Sequence, residues 1–287
     1  MAPGEIVKFL LLGSIFLTVF ALALRARPAD VFYLFQEWRL GLRALTAMYI
    51  VVPVAAILIA TAFDVKPVVK LVIVALAFSP VPPLLPKKQI KAGISASYVT
   101  GLFFAASLAS LAITPLGLHL AGVYFGVDTE IAPAKIASIL AVGVGGPLFL
   151  GFVVGKMLDE RVAKVADVIA KVSAILFILC VLVLLVVLAP AILKVIGDGT
   201  IVVLVAMNLV GLAAGHWLAG GNQDERLALS LASAARHPGV AIAIAATNFP
   251  DAKMAPAAIV LSAILNGIIT IPYIRLLANS DAAPRST

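Results

Sequence analysis

Apolar residues fill the chain in nine long blocks, 6–24, 44–62, 67–91, 93–121, 136–158, 165–193, 200–218, 227–249 and 256–277, separated by short charged or small polar stretches. A helix needs roughly 20 apolar residues to cross the hydrocarbon of a bilayer, and nearly every block has that length. The pattern therefore predicts an all-α polytopic membrane protein of about nine transmembrane helices, one domain over 1–278 with a disordered polar tail at 279–287. Glu5 and a lone Lys8 make a poor leader, and the flank after Leu24 is basic, so the first block reads as a span and not as a cleaved signal.

Composition agrees with this pattern. Of the 287 residues 63% are hydrophobic and only 12% charged, about half the charge of an ordinary soluble domain. The net charge of +7 does not indicate nucleic acid here, because it follows from where the lysines and arginines sit. Thirteen fall at the block ends on one side, among them Arg25, Arg43, Lys87, Lys88, Lys91 and Arg226, against six on the other. By the positive-inside rule the amino terminus lies outside and the carboxyl terminus in the cytoplasm of an inner (plasma) membrane protein. The single cysteine, Cys180, lies inside an apolar block and reads as packing.

Two blocks are broken near their middles. Pro80, Pro82, Pro83 and Pro86 follow Ser79, and each proline removes a backbone donor and clashes with the preceding turn. In the eighth block Arg236-His237-Pro238-Gly239 combines a charge, a titratable ring and two helix breakers. Irregular backbone at that depth is tolerated only inside protein or along a water-filled cavity. Broken helices at corresponding places in two halves point to an inverted-repeat transporter, with repeats at about 1–122 and 134–278 and a site where the half-helices meet.

The run Leu42-Arg43-Ala44-Leu45-Thr46-Ala47-Met48-Tyr49-Ile50-Val51-Val52-Pro53, then Ser79-Pro80, then Ala232 to Ala246 with Pro238-Gly239, resembles the bile acid:sodium symporter family. The resemblance implies a panel domain and a core domain, with two discontinuous helices crossing in the core; nine spans would suit a member lacking the first of ten helices. The chain departs from the family where sodium is held. The family's first break carries Ser-Asn at the places of Leu85 and Pro86, and its second carries Glu, Gly and Gln-Asn at the places of Ala232, Ala234, Arg236 and His237. Sodium needs oxygen donors that these side chains do not supply, so no sodium site is expected.

An arginine at bilayer depth is costly and is normally paired or faces water. None of the fourteen acids lies well inside a span; Asp167, near an end, is placed for Lys171 one turn on. Arg236 would end the first half-helix, where the negative dipole end favours a cation standing in place of sodium. It is then either a staple for backbone carbonyls or an anchor whose planar fork binds an anion. His237 either titrates, leaving proton coupling open, or caps the next half-helix as a neutral ring. Asn208, Asn248, Asn266, Ser97 and Thr100 line a cavity or bond between helices, and Lys87, Lys88 and Lys91 mark the cytoplasmic end or also draw anions. Gly151 and Gly155, and Gly211 and Gly215, have the spacing that lets membrane helices approach closely.

The expected substrate-binding set is Arg236, His237, Ser79, Pro80, Pro86, Gly239 and Asn266, with no catalytic residue, metal or other cofactor. The expected partners are a small organic anion and the lipid bilayer. The expected activity is secondary transport by alternating access. An auxin-efflux-like or other inverted-repeat permease is the nearest alternative, and a non-transporting receptor derived from a carrier is another. An intramembrane enzyme would need paired acids, a Ser/His pair or a metal site, and the sequence places none within the spans.

Overall fold

The computed structural model describes residues 3–126, 133–249 and 251–280, and these are helical with irregular connections. The helices are α1 (Pro3–Leu24), α2 (Trp38–Ala62), α3 (Pro67–Phe78), α4 (Leu85–Lys91), α5 (Ala96–Tyr124), α6 (Pro133–Met157), α7 (Val162–Val195), α8 (Thr200–Leu218), α9 (Gln223–Ala234), α10 (Pro238–Asn248) and α11 (Ala255–Ser280). Two single helical turns, Pro28–Val31 and Tyr33–Gln36, join α1 to α2. Asp128 and Glu130, the acidic residues between the fourth and fifth apolar blocks, lie outside the described residues. So does most of the expected tail; its first two residues instead complete α11.

Among the described residues seven helical stretches are long and apolar enough to cross a membrane, counting the broken Gln223–Asn248 as one; Phe9–Leu24 and Pro67–Phe78 are apolar but shorter. The second of these is short because the proline run ends α3 at Phe78 and the chain does not resume helix until Leu85. Large apolar side chains face outward along α7, among them Val168, Ile175, Leu182 and Val186. Such a surface would be insoluble in water and is the lipid-facing side of an integral membrane protein.

In contrast to this exterior, the interior is built from small residues. Ala44, Ala47, Ala56, Ala228, Ala241, Ala257 and Ala258 are fully buried, which lets backbones approach where lipid supplies no hydrophobic drive between helices. The helix α1 packs along α6 and α7, and α8 packs along α9. A β-carbon on Gly151 would lie 2.5 Å from the Phe20 carbonyl oxygen, so the 151/155 pair is the contact surface of α6 for α1. Asp167 forms an ion pair with Arg25 at the foot of α1. The expected Asp167–Lys171 pair is thereby corrected: the arginine of the neighbouring helix outcompetes the lysine on the same helix.

Two prolines reshape the helices that contain them. Val52 N–H bonds to Ala47 O, five residues back, so Ala47–Val51 is a π-helical turn. The next residue, Pro53, has no N–H to offer, and the Met48 carbonyl is therefore left without a backbone donor. Pro147 follows an equivalent π turn at Ala141–Gly145.

Candidate functional site

The two breaks meet. The His237 backbone N–H donates to Pro80 O at 2.9 Å and to Ser79 Oγ at 3.1 Å, while Ser79 Oγ donates to Leu76 O at 2.8 Å. Helix α3 ends at Phe78 and leaves its last carbonyls without intrahelical partners. Thr114 on α5 donates its hydroxyl to Phe78 O at 2.6 Å. Arg236 Nη1 reaches Ser79 O at 3.3 Å, and Arg236 Nη2 bonds the orphaned Met48 O of the π turn at 2.8 Å. The arginine thus sits on the carbonyl end of α3 and on α2. Arg236 follows directly on the C-cap Ala235 of α9, as expected of the residue that ends this half-helix, but its guanidinium bonds the carbonyls of α2 and of the end of α3 and not those of α9.

Both carbonyls are neutral, and among the described residues no carboxylate pairs with Arg236. Its Nε is buried with no partner. With only neutral acceptors its charge is uncompensated, and the unpartnered Nε leaves a donor for a further ligand.

Arg236 opens on a cavity of about 220 Å³. Its polar wall consists of Arg236, Ser233, Asn208, Asn266 and Ser262; Ile73, Leu76, Phe177, Met207 and Ile259 supply much of the apolar wall. Asn266 Nδ2 donates to Asn208 Oδ1 at 2.7 Å, and Asn208 Nδ2 donates to Leu204 O at 2.8 Å. The Ser233 hydroxyl, on a residue 1% exposed, is also without a partner.

His237 takes the capping role of its two expected ones: Nδ1 accepts from the Val240 N–H at 3.3 Å at the start of α10. An accepting Nδ1 puts the ring proton on Nε2. Of the expected set, Arg236 and Asn266 line the cavity together, and Ser79, Pro80 and the His237 backbone clip the breaks to each other. Gly239 faces Ile15 on α1, where a β-carbon would come within 2.6 Å of its Cδ1. Pro86 is buried at the second position of α4 and is not part of the cavity wall.

Asn248 and Ser97 bond elsewhere, to Ile244 O and to Asp30. Sequence reasoning missed Ser233, Thr114 and the Met48 carbonyl. The last was signalled by Pro53, whose missing N–H frees an acceptor. Ser233 and Thr114 carry no such mark, since nothing local distinguishes them from other hydroxyls in apolar helices.

A comparison with curated proteins finds no match. The profile of the sodium bile acid symporter family matches residues 12–195, from α1 to the end of α7. This region holds the first break and the π turn but stops before Arg236. With more than half of the chain matched, including the broken α3 that positions Ser79, the chain belongs to the sodium bile acid symporter family, a family of membrane transport proteins.

Proposed function

We propose that the protein is a secondary transporter of a small organic anion, with Arg236 as the anion anchor. One observation carries this reading. A guanidinium held only by two neutral carbonyls, with Nε unpartnered, faces a cavity whose nearby Ser233 hydroxyl is also unpartnered. A carboxylate would supply both the missing charge and the missing acceptors. The arginine occupies the junction of the two breaks, so a fixed cation takes the place of a bound one and the transport cycle runs without sodium. The His237 cap requires a neutral ring and disfavours that histidine as the proton carrier.

In this reading α3 with α4, and α9 with α10, each form one discontinuous span. The chain then crosses the inner membrane nine times as two inverted repeats, amino terminus outside. Reporter fusions at the two ends test the topology: opposite locations with a cytoplasmic carboxyl terminus are expected, and a cytoplasmic amino terminus would overturn it. Thermal-shift measurements of the purified protein with small carboxylates test the function. Stabilisation is expected to be equal in sodium and in choline buffers at fixed pH. A saturable sodium requirement would overturn the claim that Arg236 replaces the ion, and an absence of any carboxylate response would overturn the anion reading.

A further inference from the structure

Asn266, in the wall of the Arg236 cavity, begins a file of polar side chains along one face of α11. Asn266, Thr270 and Tyr273 stand at i, i+4 and i+7, and each meets a polar side chain from another helix. Asn266 is bonded to Asn208 on α8. Lys88 Nζ, from α4, donates to Thr270 Oγ1 at 3.3 Å. The Tyr273 hydroxyl donates to Ser230 Oγ at 2.7 Å and lies 2.9 Å from His216 Nδ1.

The central pair bridges interior and solvent, since Thr270 is 2% exposed and Lys88 is exposed. The Thr270 hydroxyl gives its proton to Asn266 O at 2.8 Å, which leaves its oxygen to accept from the lysine. Among the described residues no carboxylate pairs with Lys88, and Lys88 alone of the three α4 lysines reaches this file.

A single fixed cation in a low-dielectric interior is a poor transport site, because what binds an anion there also retains it. Passage needs a second site close enough to receive the ion and weak enough to release it. Thr270 lies one helical turn, about 6 Å, beyond Asn266 on the side of the breaks that carries the lysines. We propose that Lys88, parked on Thr270, is a second anion station between the Arg236 cavity and that face of the membrane. An anion leaving Arg236 passes Asn266 and Thr270 and exchanges the Thr270 contact of Lys88 for its own carboxylate.

This inference rests on the anion reading of Arg236, and the test separates the two. Radiolabelled benzoate and pentanoate serve as probes, with equilibrium binding measured in detergent and initial uptake rate in proteoliposomes. Lys88→Gln is expected to lower the maximal rate tenfold or more while leaving the dissociation constant within twofold. Lys88→Arg should restore most of the rate. An unchanged rate in Lys88→Gln would overturn the station. So would a parallel loss of rate, binding and melting temperature, which would make Lys88 a packing residue. If the parent protein neither binds nor moves either probe, the anion reading itself falls and this inference with it.

Discussion

Replacing Arg236 by Gln is expected to weaken carboxylate binding by about 1.5–3 kcal/mol, the range for hydrogen bonds to charged groups, or roughly 10- to 150-fold in affinity. The glutamine amide can still donate to one of the two carbonyls that now hold the guanidinium, Met48 O or Ser79 O. Leaving the other unsatisfied costs about 1–3 kcal/mol. Removing a charge that has no counter-ion returns a desolvation cost of several kcal/mol, so the variant should fold. Arg236→Lys restores the charge but cannot bond two carbonyls in a planar fork while presenting Nε to a ligand, and should recover only part of the affinity. Binding by thermal shift, with monodispersity checked separately, decides the matter. A folded Arg236→Gln variant that binds carboxylate as well as the parent would make the arginine a structural staple.

Replacing Gly211 by Val should be worse for the fold than any change in the cavity. A β-carbon at 211 would lie 2.6 Å from Ala234 Cα, 2.7 Å from Ser233 O and 2.9 Å from Ala234 N. These are backbone atoms, so no side chain can turn aside and α8 must separate from α9. Gly215 meets the Ser230 backbone in the same way. Overpacking typically costs about 1–3 kcal/mol, and more where relief requires moving a helix. The displaced residues, Ser233 and Ala234, lead directly into Arg236, so the surviving protein should also lose its anion response. Gly267→Ala in α11 is the control, since nothing lies within 4 Å of its β-carbon position. A drop of the melting temperature in Gly211→Val beyond that of Gly267→Ala is the expected result. Equal melting temperatures would show that the α8–α9 contact is looser than its geometry.

The sequence by itself determined the helical, membrane-embedded class, the approximate bounds of most long helices and the places where two apolar blocks break, but not the start of α2 at Trp38, six residues before its apolar block, or the two helical turns ahead of it. These features are local: apolar block length selects a membrane helix, and proline ends one wherever it stands. It also singled out Arg236, because a charge inside an apolar block is conspicuous without any structure. Tertiary structure decided what that arginine holds. Its partners, Met48 O and Ser79 O, lie 188 and 157 residues away, and they are backbone atoms, which every residue carries and no side-chain pattern can mark. The cavity is likewise assembled from side chains scattered from α2 to α11. Asn208 and Asn266 become a pair only when α8 and α11 pack. Asp167 turned from Lys171 to Arg25 for the same reason, since periodicity along one helix cannot announce a better partner on another.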